Sequence, residues 1–161
     1  MRELRVLTAD DMEALGASLA PFLAAGDVIR LDGELGAGKT TFTRGLGAGL
    51  GTREAVTSPT FVLARVHPTE AGAPLLHVDA YRLTSAAELD DLDLDFAGSI
   101  SVVEWGAERL PEDLDALLIG IERPIGGDPE PEDEPRVVRV AGTGPRSSAI
   151  VAAWLAVIGE P

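Results

Sequence analysis

The sequence predicts an α/β fold, a mixed β-sheet flanked by helices in a single domain over residues 1–161, and three observations carry that prediction. Apolar segments with the two-residue period of strands alternate along the chain with segments of helical period, the pattern of a sheet covered by helices. A complete G-x-x-x-x-G-K-T loop, Gly33-Glu-Leu-Gly-Ala-Gly-Lys-Thr40, stands between one such strand and one such helix. The chain's 161 residues, 45% hydrophobic and 25% charged, are enough for one buried core.

Taken in order, Glu3 to Leu7 reads as a strand, and Thr8 as the N-cap of a helix running to about Ala24, with Met12, Leu15, Leu19 and Phe22 on one face. Pro21 should bend or end that helix. Asp27 to Asp32 alternates as a strand, the loop follows, and Thr40-Thr-Phe-Thr-Arg-Gly-Leu opens a helix. Strands are expected at Thr60 to His67 and Pro74 to Asp79, joined by a turn at Pro68 to Gly72. A short acidic helix at about Ser85 to Leu92 precedes the most buried-looking strand, Ile100 to Glu104. Further strands at Ala116 to Glu122 and Val137 to Ala141 lead to a last helix, about Arg146 to Ile158, with Ile150, Trp154 and Ile158 on one face. The hairpin-like middle makes the sheet mixed rather than wholly parallel.

The loop carries the chemistry. Glycines let successive backbone N–H groups converge on phosphate oxygens, and the helix starting near Lys39 adds the positive end of its dipole. Gly33, Gly36, Ala37 and Gly38 form this P-loop, which makes the fold P-loop NTPase-like. Lys39 is the chain's one lysine among twelve arginines, and a compact ammonium is what reaches between phosphate oxygens. It should contact the β- and γ-phosphates, with the Thr40 hydroxyl on Mg²⁺ and Thr41 toward the α-phosphate.

Bulk properties narrow the class. A net charge of −14 argues against a free-standing nucleic-acid or anionic-membrane binder, because phosphate backbones are held by clustered Lys and Arg. With no cysteine, disulfides and thiolate metal sites are excluded. No signal-peptide core opens the chain, and the longest apolar run, Ala149 to Ile158, is too short to span a bilayer, so a cytoplasmic location is expected. The acidic stretch Gly126 to Pro135 reads as a solvated, disordered loop.

A phosphate loop needs an acidic partner for Mg²⁺ at the end of an apolar strand, and two segments qualify: Leu75-Leu-His-Val-Asp79 and Ile100-Ser-Val-Val-Glu104. One of Asp79 and Glu104 would bind metal and the other orient the attacking water; spacing does not assign the roles. Val56 to Phe61 lies where a γ-phosphate-sensing segment is placed, so hydroxyls such as that of Thr60 would meet phosphate or the metal's water shell. Taken alone, His77 reads as a packed strand residue, Tyr81 and Arg82 as a surface pair, and Trp105 as a core aromatic or a wall of the nucleotide cleft. A guanine-specific Asn/Thr-Lys-x-Asp segment cannot occur where the only lysine is in the loop, which favours ATP.

Four segments together, the loop with its continuation to Gly45, Thr57-Ser-Pro-Thr-Phe61, His77-Val-Asp-Ala-Tyr-Arg-Leu83 and Val103-Glu-Trp105, resemble the TsaE family of small bacterial P-loop ATPases. The resemblance implies a Mg²⁺-dependent ATPase needed for the threonylcarbamoyladenosine (t6A) modification of tRNA, docking on the TsaB and TsaD proteins and resetting their complex by hydrolysis. Contact with tRNA would be only through those partners. It implies that Thr40 and Glu104 ligate Mg²⁺, that Gly36 to Thr41 bind the ATP phosphates and that Asp79 is needed for hydrolysis. Trp105 would lie near the nucleotide, Arg136 would contact it, and Asp10 would stand beside the adenosine. Val78 and Ala80 replace bulkier apolar residues common in the family. Two rival classes are a small-molecule kinase using Asp79 as base for an acceptor hydroxyl, and a nucleotide-gated binding module with negligible hydrolysis.

Overall fold

The structure, a computed structural model, describes residues 1–57, 63–124 and 135–159. β1 (Arg2–Val6) leads into α1 (Ala9–Leu19), capped by the Thr8 hydroxyl, which accepts from Asp11 N at 3.1 Å. α1 stops at Leu19 rather than continuing to Ala24, because Pro21 tightens Ala20–Phe22 into a 3₁₀ turn. β2 (Val28–Gly33) delivers the chain to the phosphate loop and α2 (Lys39–Leu50). Then come β3 (Ala64–His67), β4 (Leu75–Asp79), α3 (Ala86–Asp91, capped by Ser85) and β5 (Ile100–Glu104). β6 (Leu117–Glu122), β7 (Arg136–Gly142) and α4 (Pro145–Ile158) complete it. The expected strand from Thr60 is described only from Ala64, and most of the acidic stretch 126–135 lies outside the described residues.

All seven strands form one sheet, ordered β1-β7-β6-β2-β5-β4-β3. β4, β5, β2 and β6 run parallel, while β3, β7 and β1 pair antiparallel at the flanks, so the sheet is mixed as expected. β2 lies at its centre, and β5 beside it, between two parallel neighbours, has all five residues buried. One face packs against α1, α2 and α4 through Leu19, Phe42, Leu46 and Trp154; the other is covered by α3 and the segment after β5, through Leu83, Leu89 and Leu110. α1 and α2 touch backbone to backbone: a Cβ on Gly45 would lie 2.0 Å from Glu13 O, so only glycine allows the approach that sets α1 under the loop. Trp154 belongs to this core, its Nε1 donating to Ser18 Oγ at 2.8 Å.

Candidate functional site

The loop joins the C-terminal end of β2 to the first turn of α2. Gly36 and Gly38 hold φ of 78° and 118°, left-handed conformations that a side chain would strain, and Ala37 N–H donates to Glu34 O at 3.0 Å within the loop. Met12 of α1 lies beneath Gly38. Lys39 folds back over the loop: its Nζ donates to Gly33 O at 2.6 Å and Glu34 O at 3.0 Å, and lies 4.4 Å from the centre of the Trp105 ring. Burial pushes the ammonium below its ordinary pKa, and the charges of Glu104, Asp79 and Asp32, in that order, oppose the shift. Thus the loop cation is buried among three acids, although among the described residues it bonds to none of them.

The acids are placed by sheet register. β4 and β5 are parallel neighbours with Asp79 opposite Glu104, while Leu31 of β2 pairs with Glu104 on the other side. Two carboxylates 25 positions apart in sequence are thereby set side by side at strand ends facing the loop. Asp79 Oδ1 accepts from Tyr81 N at 3.0 Å, a tight turn that aims the chain away from the sheet. Glu104 is buried, and its Oε1 is without a hydrogen-bond partner among the described residues.

Trp105 follows Glu104 in a left-handed conformation, φ 59°, uncommon for a bulky residue. Its N–H donates to Leu31 O at 3.2 Å, and its ring meets both the Lys39 ammonium and the Tyr81 ring, the ring centres 5.3 Å apart. Such an outlier persists where the surroundings enforce it and accompanies binding sites. A cleft of about 490 Å³ opens here, walled by Leu35, Gly36, Gly38, Lys39, Thr40 and Thr41, by Asp79, Tyr81 and Arg82, and by Glu104 and Trp105. A buried cation at the start of a helix and paired carboxylates at a sheet's carboxyl end suit a nucleotide's phosphates with a divalent cation.

Comparison with known proteins agrees with this geometry. Residues 6–125 match the family model described as threonylcarbamoyl adenosine biosynthesis protein TsaE. The chain belongs to the TsaE family. It is similar to the tRNA threonylcarbamoyladenosine biosynthesis protein TsaE of Streptomyces coelicolor, 55% identical over 140 residues, covering 84% of this chain and 93% of the relative. The Bacillus subtilis protein of the same name is 39% identical over 132 residues, 80% of each chain. Among solved structures, the crystal structure of Bacillus subtilis YdiB superposes with a TM-score of 0.75 at 30% identity, covering 98% of this chain and 95% of that one.

Within this TsaE-family chain, the cleft gathers the expected Gly36, Gly38, Lys39, Thr40, Thr41, Asp79, Glu104 and Trp105. Gly33 and Ala37 support it from behind. A Cβ on Gly33 would lie 2.7 Å from Ile121 O, and buried Ala37 presents its carbonyl to Arg136 Nε at 3.1 Å. Arg136, at the start of β7, thus reaches the loop itself and is not among the residues that wall the cleft. Asp10 is exposed in the first turn of α1 and is not among the residues that wall the cleft. Thr60 lies outside the described residues. Tyr81 and Arg82, read alone as a surface pair, line the cleft, as does Leu35 at the loop's tip. The His-x-Asp-x-Tyr-Arg spacing was the available signal for the first two; nothing in the sequence marks Leu35. Among the described residues no helix is long and apolar enough to cross a membrane.

Proposed function

We propose that this TsaE-family protein binds ATP with Mg²⁺ in the cleft and hydrolyses it, and that the hydrolysis resets a TsaB–TsaD complex between rounds of t6A formation on tRNA. The observation that carries the reading is the register of Asp79 beside Glu104 at strand ends facing the buried Lys39. The residues fit a divalent cation: a hydroxyl at the start of α2, Thr40, and the buried carboxylate of Glu104 wall one cleft. Bound Mg²⁺ would neutralise phosphate charge, held by Thr40 and Glu104.

The chain's own groups divide the remaining work. Backbone N–H groups of residues 36–41 receive the phosphate oxygens. Lys39 exchanges its bonds to Gly33 O and Glu34 O for β- and γ-phosphate oxygens, so the ammonium is already desolvated where it is needed. Asp79 orients the water that attacks the γ-phosphate and accepts its proton. Trp105 and Tyr81 cover the cleft beside Lys39 and limit bulk water. Arg136 braces the loop through Ala37 O.

The decisive experiment is reconstituted tRNA modification with TsaB and TsaD, counting product per enzyme with wild type and with Asp79→Ala. The reading expects repeated cycles only with wild type, accompanied by free phosphate. Equal multiple turnover by both proteins would end it, and a phosphorylated metabolite in place of free phosphate would point to a kinase.

A further inference from the structure

His77 is completely buried, yet among the described residues neither ring nitrogen has a hydrogen-bond partner. Its Nε2 faces Glu104 Oε1 at 3.4 Å, and that oxygen is likewise buried and unpartnered. Buried polar atoms are nearly always hydrogen-bonded, because a bare one forfeits the hydration it had in the unfolded chain. Two orphans 3.4 Å apart within one site call for an explanation that packing alone does not supply.

Sheet register brings them together. Asp79 lies opposite Glu104 and His77 opposite Val102, so by strand alternation His77, Asp79 and Glu104 share one face of β4 and β5. The imidazole meets the carboxylate two positions further along the neighbouring strand. At 3.4 Å the two atoms are within reach of each other but not aligned as a hydrogen bond, so a small reorientation of the ring or the carboxylate, with a few tenths of an ångström of approach, closes it.

We infer that His77 is a positioning residue for Glu104: its Nε2–H backs Oε1 inside the sheet, leaving Oε2 as the oxygen presented to the cleft. The inference rests on the reading of Glu104 as a metal ligand given above. A carboxylate has two equivalent oxygens about a loosely restrained terminal torsion, and a donor behind one of them fixes which faces outward. Hydrogen-bond partners behind metal-binding side chains are generally worth about 10- to 100-fold in metal affinity.

Three variants test this. His77→Gln carries an amide nitrogen to the Nε2 position; His77→Asn falls short of it, and His77→Leu fills the volume with no donor. Mn²⁺ affinity is read by electron paramagnetic resonance in the presence of ADP, ADP affinity by calorimetry in EDTA, and stability by thermal melting. The Leu and Asn variants should bind Mn²⁺ about 10- to 100-fold more weakly, with ADP affinity in EDTA unchanged and His77→Gln within about threefold of wild type. Unaltered Mn²⁺ affinity in Leu and Asn variants, or equal losses in all three that track the melting temperature, overturns the inference. Should His77→Leu not fold, the contrast between Gln and Asn decides. Wild type that binds ADP but not Mn²⁺ overturns the metal role of Glu104 and this inference together; wild type that binds Mn²⁺ beside insensitive variants removes only the role of His77.

Discussion

At the N-terminal ends of the parallel strands, Asp27 accepts from Ala24 N at 2.8 Å and holds Arg146 through both oxygens, at 3.1 and 2.8 Å. Nearby, Asp115 accepts from Arg146 N at 2.8 Å and Ser147 N at 3.0 Å, capping α4 from another part of the chain. At the C-terminal ends the carboxylates are left short: Asp79 receives one backbone N–H from its own turn, and Glu104 Oε1 receives none among the described residues. Both ends carry carboxylates, but only one end uses them to close the structure. The other leaves its carboxylates sparsely bonded beside a desolvated lysine, within a cleft rather than a closed contact.

Substitutions at the two ends should therefore separate stability from activity. The largest effect is expected for Lys39→Ala, which should remove nucleotide turnover by about 100-fold or more while barely moving the melting temperature. Lys39→Arg should not rescue it, since a planar guanidinium cannot take the place between two loop carbonyls. A strong loss of thermal stability in Lys39→Ala would show that the loop end is structural after all. Asp79→Asn should follow, with turnover down by about 10² or more and ATP affinity near wild type, as measured by phosphate release and calorimetry. Weak ATP binding in that variant would make Asp79 a binding group rather than a catalytic one.

At the opposite end Asp27→Ala should leave turnover intact and cost about 1 kcal/mol of stability in chemical denaturation, a modest figure because Arg146 is half exposed. The smallest effect is expected for Asp115→Asn. Hydrogen bonds from Ser147, then from Arg146, hold the Asp115 carboxyl below its ordinary pKa. A carboxyl lowered on folding stabilises the fold above its unfolded-state pKa and ceases to do so as pH falls through its folded value. Melting of wild type and Asp115→Asn should accordingly differ at neutral pH and converge in acid below the ordinary aspartate range. A gap that widened in acid would contradict the capping role.

Much of the loop end was legible because its chemistry is local. The left-handed turns at Gly36 and Gly38, the lysine at the helix start and the hydroxyls of Thr40 and Thr41 depend on residues adjacent in sequence. Thr8 announced the start of α1 in the same way, and Pro21 its end, although the 3₁₀ turn came earlier than the apolar pattern suggested. Contacts made across the sheet were not legible. The bonds from Arg146 N and Ser147 N to Asp115, 31 and 32 positions away, and from Arg136 Nε to Ala37 O, 99 positions away, had no local signal. Tyr81 and Arg82 became cleft residues only through the turn that follows Asp79.

The sequence by itself determined the phosphate loop, the strand-ending acids and the alternation of elements that makes an α/β sheet, since each follows from backbone preference and side-chain period within a few residues. Only the tertiary structure decided that β4 and β5 are parallel neighbours in a register that sets Asp79 beside Glu104 and His77 behind it. Strand order and register are settled by burial of the whole core, where a slip of one residue would turn these carboxylates to the opposite face.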